Sequence, residues 1–260
     1  MFFIPLFDDN PTQRPAIVTM LIIALCVLVY AWQVSLGPRG QELAVFSFGV
    51  IPAVLFGYAE LPAPLRVVPP WASVVTSMFM HGGLLHLVGN MLYLWIFGNN
   101  VEDSMGRGRF VLFYLLCGIA AALAQSLAHP SSEVPMLGAS GAIGGVLGAY
   151  LVLHPRANVR VLMWIIIFVR MINVPALIVL GVWFAGQILS GVTTPTSNEG
   201  GIAFWAHVGG FVAGAVLIFV FKRKEVPVLE PAHTRPFAVM PASTAMRRRG
   251  SVPDAGDRWR

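Results

Sequence analysis

Two residues in this chain could do covalent chemistry together, Ser140 and His207. Each lies in a short, glycine-rich, otherwise apolar stretch: Gly138-Ala139-Ser140-Gly141 and Ala206-His207-Val208-Gly209-Gly210. A hydroxyl becomes a nucleophile when a neighbouring base takes its proton, and imidazole is the side chain suited to that near neutral pH. Both stretches read as membrane-embedded. A polar or ionisable group there is costly and marks a functional site by default. The pair points to a serine-type hydrolase working inside a bilayer. A lone serine in a glycine-rich membrane helix ordinarily serves packing, so the joint pattern carries the reading.

The elements that hold these residues must bring them together. From Gly138 to His154 is 17 residues, about 25 Å of helix at 1.5 Å per residue. The hydrocarbon core is about 30 Å thick, so Ser140 should start its helix below the membrane surface. There, free N–H groups and the helix dipole favour developing negative charge. Gly144 and Gly148 follow Ser140 on one helical face, and Gly210 and Gly214 follow His207 on another. Small faces let helix backbones approach closely in lipid. Packing these two faces together would carry Ser140 towards His207.

A second polar group precedes them. His81-Gly82-Gly83-Leu84-Leu85-His86 leads to Asn90, with His86 and Asn90 four apart on one helical face. Both can donate hydrogen bonds, and aimed at Ser140 they would stabilise an oxyanion. They could equally be polar glue between helices. His81 is rotated off that face and is expected to hold the preceding loop. No H-E-x-x-H is present and no carboxylate accompanies these histidines, so no metal or other cofactor is expected.

The composition fits a membrane protein: 57% of the residues are hydrophobic and 11% charged, against about 25% charged in soluble domains. Cys26 and Cys117 both lie in apolar runs and imply neither a disulfide framework nor a zinc site. The net charge of +5 is mostly terminal, at Lys222, Arg223, Lys224 and Arg247, Arg248, Arg249. Anchoring beside anionic lipid explains it better than nucleic acid, and no nucleic-acid partner is expected. The run at 15–36 is too long for a cleavable signal peptide.

Six spans are expected, at about 15–36, 80–98, 109–128, 139–154, 174–190 and 201–221. The loops at 129–138 and 191–200 carry no Lys or Arg, whereas Arg107, Arg109, Arg156 and Arg160 make the alternate loops basic. The positive-inside rule then puts both termini in the cytoplasm. The fold class is all-α: a multi-pass protein of six transmembrane helices with a membrane-associated first external loop at 37–79. Residues 1–14 form a cytoplasmic N-terminus, 15–222 the membrane domain, and 223–260 a basic, disordered cytoplasmic tail. The segment 161–173 reads as an interfacial or re-entrant piece. No soluble domain and no repeat is evident.

Taken together, His81-x4-His86-x3-Asn90, Gly138-Ala-Ser140-Gly141 and Ala206-His207-x2-Gly210-x3-Gly214 resemble a rhomboid intramembrane serine protease, in order and in placement on spans two, four and six. Glu102, Gly106, Phe110 and Tyr114 resemble the family's stretch between spans two and three. The resemblance covers about residues 5–222. It implies Ser140 as nucleophile, His207 as general base, and His86 and Asn90 as oxyanion donors with the Ser140 backbone N–H. Gly138 matches the loop glycine of G-x-S-G, and Gly141 its last position; span five matches the family's proposed lateral gate. Transmembrane proteins would be the substrates and the bilayer the setting, in a bacterial cell membrane. Two departures stand out. Some members carry an aromatic four residues after the nucleophile, where this chain has Gly144, and the Trp-Arg pair of some members' first loop is not evident. Two alternatives remain at this point: an inactive relative that binds transmembrane clients, and a haem or metal carrier using His81, His86 and His207.

Overall fold

The structure is a computed structural model that describes residues 2–165, 168–193 and 203–240. A helix covers each of the six expected segments: α1 (Ile17–Ser35), α5 (Leu84–Met105), α6 (Arg107–Ala128), α7 (Ser140–Leu153), α8 (Ala176–Thr193) and α9 (Phe204–Phe221). Four of them, α1, α6, α8 and α9, are long and apolar enough to cross a membrane. A fifth span arises if α5 is counted with the Pro70–Phe79 segment, bent from it by 80°. Helix α7 has only 14 residues and lies at the centre. All its residues from Gly141 to Tyr150 are buried, as expected of a helix apolar all round.

Glycines set the distance between α7 and α9. A Cβ on Gly144 would meet the carbonyl oxygen of His207 at 3.0 Å, and one on Gly148 would run into the carbonyl of Phe211. Reciprocally, Gly210 lies against the carbonyl of Gly141 and Gly214 against that of Gly145. The predicted small faces do meet, and Gly141 and Gly145 complete the seam. Backbone contact at this range needs residues without side chains.

The first loop folds into short helices: α2 (Gly37–Phe48), α3 (Pro52–Leu55) and α4 (Pro70–Thr76), with 3-10 turns at Ala63–Leu65 and Ser77–Phe79. Some of its apolar residues, including Tyr58 and Trp71, are exposed, whereas Val50, Ile51, Ala53 and Val74 are buried. It is tied to the segment before α7. Val50 and Met136 exchange both backbone hydrogen bonds, at 2.9 and 2.7 Å, and the Gly138 N–H donates to the Ser77 carbonyl at 2.9 Å. At the other end of the bundle, Glu102 accepts from the N–H groups of Val18 and Thr19 (3.0 and 2.7 Å) and from the Thr19 hydroxyl (2.8 Å). That satisfies free donors at the start of α1. Gly106, at φ 86°, makes the turn from α5 to α6, with Phe110 and Tyr114 buried behind it.

The all-α expectation needs correction. A four-stranded antiparallel sheet, in the order β1 (Phe2–Asp8), β2 (Asn158–Ile165), β3 (Phe168–Pro175) and β4 (Val239–Met240), lies at the end of the bundle away from Ser140. The segment expected to be interfacial or re-entrant is the β2–β3 hairpin, in register from Asn158↔Pro175 to Ile165↔Phe168. Its β-branched residues suit a pleated surface. Val159 and Val161 are buried, and Arg160 between them lies over the Phe7 ring at 4.9 Å. The tail is described as far as Met240 and makes contacts with the bundle; residues 241–260 lie outside the described residues. Leu229 and Glu230 donate backbone hydrogen bonds to Val152 and Leu153. Thr234 bonds Asp9 and Asn158.

Beside the sheet, the Asp8 carboxylate accepts from Tyr150 (2.6 Å) and Asn100 (2.7 Å). Burial pushes its pKa up to about 7, and the Tyr150 hydrogen bond opposes that only in part.

Candidate active site

Ser140 is the first residue of α7, placed by the turn before it. Gly138 has φ 125°, a conformation that L side chains rarely adopt, and a Cβ there would come within 2.9 Å of the His86 ring nitrogen Nε2. Glycine at this position therefore lets both the turn and the histidine lie beside Ser140. Gly141 abuts Ala121 of α6, where a Cβ would sit 2.6 Å from that methyl.

His207 lies in the first turn of α9. Its Nε2 is 2.8 Å from the Ser140 Oγ. Its Nδ1 is 2.7 Å from the Oε1 of Gln187 on α8. An amide oxygen only accepts. Nδ1 therefore carries the hydrogen, and Nε2 presents its lone pair to the serine hydroxyl. The Trp183 ring, one turn earlier on α8, lies 5.8 Å from the His207 ring, tilted by 38°. Phe184 stacks on Phe211 at 4.2 Å. Trp183 and Phe184 thus face the bundle. The aromatic contact that Gly144 cannot make comes from another helix.

His86 is on the first turn of α5, and its ring meets that of His81 edge to face at 5.4 Å. Asn90, one turn further, is buried, and its Nδ2 has no acceptor among the described residues. His81 is fully buried, and its backbone is clamped by Gln33 of α1 through two hydrogen bonds of 3.0 and 3.1 Å. Through its main chain it ties the segment before α5 to α1. A small cavity adjoins Ser140, lined by Met78, Gly118, Ala121, Ala122, Gly141 and Ala206 among others. Among the described residues, no cluster of three or more His, Cys, Asp or Glu could hold a metal ion.

Of the expected site residues, Ser140, His207, Gly138 and His86 converge on one point; Gly141, Gly210 and Gly214 form the seam that brings them there. Asn90 is on the same helix as His86, one turn deeper. Gln187 was not singled out from the sequence, and Trp183 was marked there only as a residue that could guard entry, not as a contact of His207. A carboxamide inside an otherwise apolar helix was the available signal for Gln187. A hydroxyl hydrogen-bonded to a lone pair of a tautomer-fixed imidazole, at a helix N-terminus, can attack a carbonyl carbon.

Residues 69–224 match the Rhomboid domain. The chain is 33% identical over 204 residues to rhomboid protease GluP of Bacillus subtilis, covering 76% of this chain and 34% of that protein. It is 30% identical over 196 residues to the mitochondrial rhomboid protein 1 of Saccharomyces cerevisiae, covering 69% of this chain and 52% of that one. With the chloroplastic rhomboid-like protein 11 of Arabidopsis thaliana it shares 29% over 157 residues, 60% of this chain and 54% of that one. The chain thus spans about half, or less, of the length of these curated relatives. With its match over most of the membrane region and its apolar helices, this integral membrane protein belongs to the rhomboid family.

Proposed function

We propose that the protein is an intramembrane serine endopeptidase that hydrolyses peptide bonds in or near transmembrane segments of other membrane proteins. The observation that carries this reading is the 2.8 Å contact between the Ser140 Oγ and the His207 Nε2 at the start of a buried helix. His207 Nε2 takes the Ser140 proton as Oγ attacks the scissile carbonyl carbon. The resulting oxyanion is held by the Ser140 backbone N–H, His86 and Asn90. Collapse of the tetrahedral species breaks the C–N bond, and His207 gives the proton to the leaving amine. Water then hydrolyses the acyl-enzyme by the same steps. The unpaired Asn90 donor and the His86 ring beside Gly138 support their assignment.

The six helices are read as six spans, the short α7 lying below the outer surface. Both termini are assigned to the cytoplasmic side. The basic loop residues and the sheet that gathers the N-terminal strand with the tail support that orientation. An inactive client-binding relative would have lost Ser140 or His207, and both are present. The deciding experiment is cleavage of a single-span test substrate in proteoliposomes. Wild type should cut it, whereas Ser140→Ala and His207→Ala should fold, insert and show no turnover, since nucleophile and base act as a unit. A fluorophosphonate should label wild type at Ser140. Normal turnover by Ser140→Ala would refute the assignment.

A further inference from the structure

We propose that Gln187 is a positioning residue on α8 that holds His207 in the tautomer able to accept the Ser140 proton, so that the dyad is complete only while α8 lies against α9. This rests on the reading of Ser140 and His207 as nucleophile and base.

The chemistry of the pair is directional. The Gln187 Oε1 accepts from Nδ1–H at 2.7 Å, which leaves the Nε2 lone pair facing the Ser140 Oγ at 2.8 Å. The other neutral tautomer would put a hydrogen on Nε2 and could not take the serine proton. No carboxylate is available for this task in α7, α8 or α9, none of which contains Asp or Glu. A neutral amide can fix the tautomer without adding a net charge at membrane depth, and a carboxylate paired with the ring would fix the same one. Gln187 is also otherwise out of place, since the residues around it on α8, from Trp183 to Leu189, are apolar or glycine.

The same helix fixes the plane of the ring. Trp183 is four residues before Gln187, on the same face. It lies against the His207 ring, so α8 sets both the tautomer and the tilt. Helix α7 cannot take over that role, because Gly144 is filled by the α9 backbone.

Helix α8 is lightly held. Its outer face, Leu177, Ile178, Val182, Leu189 and Val192, is exposed, while Trp183, Phe184 and Gln187 turn towards α9. If α8 moves aside to admit a substrate segment, His207 loses both constraints. Hydrolysis then has to wait until α8 returns over the seated substrate, and the open site is inactive.

The test compares wild type, Ser140→Ala, Gln187→Leu and Gln187→Glu as full chains in proteoliposomes with one single-span substrate. Gln187→Leu should lower kcat about 10²-fold, the lower end of general acid–base effects, with KM little changed. Gln187→Glu keeps an acceptor and should restore most of kcat. Nitrogen-15 NMR of the His207 ring should show one tautomer, with Nδ1 protonated, in wild type, and a mixture in Gln187→Leu. Wild-type kcat in Gln187→Leu would overturn the proposal. So would a loss that Gln187→Glu does not restore, because it would place the effect in helix packing. Failure of the underlying reading looks different: wild type would not cleave, or Ser140→Ala would, whatever Gln187 does. The NMR tautomer still reports on Gln187 in that case, and a mixed tautomer in wild type would overturn the proposal.

Discussion

A Cβ on Gly144 would sit 3.0 Å from the carbonyl oxygen of His207. The position four residues after Ser140, where some rhomboid members place an aromatic against the base, is occupied here by the neighbouring backbone. The aromatic against His207 is Trp183, from α8. Gly144→Tyr should therefore prise α7 from α9 rather than stack. Gly148→Ala should destabilise more than Gly144→Ala, because its Cβ overlaps the Phe211 carbonyl outright. Overpacking of this kind costs about 1–3 kcal/mol. Thermal unfolding in detergent measures the order, and equal midpoints for the two alanine variants would contradict it.

The oxyanion assignment makes a kinetic prediction. Asn90→Ala and His86→Ala should each lower kcat by roughly 10²-fold, the scale for one lost donor, with a smaller change in KM. Steady-state cleavage of the test substrate separates the two parameters. An unchanged kcat in either variant would show that the residue only packs helices.

Substrate choice should follow the cavity beside Ser140. Ala121, Ala122, Ala206 and Gly141 crowd it, and Met78 fills the space beside Gly118, whose Cβ would meet the Met78 Sδ at 2.5 Å. The residue before the cut should be small. A membrane helix also hides its amides in internal hydrogen bonds, so the cut segment must unwind. A substrate with Gly-Ala near the outer end of its span should be cut well, and the same span with Leu-Leu poorly. Mass spectrometry of the products locates the site, and equal cleavage of both forms at one place would sink this view.

Asp8 makes stability depend on pH. Its carboxyl is held near pKa 7 in the folded protein by burial, against about 4 in an unfolded chain. The folded state thus binds the extra proton between these values. The stability it contributes is full below about pH 4, is lost as pH rises towards about 7, and is level above that. Thermal midpoints of wild type should fall across this window relative to those of Asp8→Asn, whose slope should be flatter. Parallel slopes for the two proteins would remove the assignment.

Ser140, His207, His86 and Asn90 were legible as candidates because lipid makes polar residues rare, so each stands out against an apolar background. The six helical segments were legible for the same reason, from length and hydropathy. The seam was half legible: Gly144, Gly148, Gly210 and Gly214 showed their periodicity, whereas Gly145 mattered only once α9 lay beside it. The β2–β3 hairpin was not legible as strands, because an apolar run carries no period that separates a strand from a buried or interfacial helix. Nor was the docking of the tail on Val152, Leu153 and Asp9, the last a contact across most of the chain.

The chain alone therefore marked the candidate side chains and the segments able to sit in a membrane, since both follow from the local cost of polar groups in lipid. Only the tertiary structure decided that Gln187 and Trp183, twenty and more residues before His207, stand against its ring. A tautomer and a ring plane are set by whatever stands within hydrogen-bonding distance in space, and local sequence does not record which helix that will be.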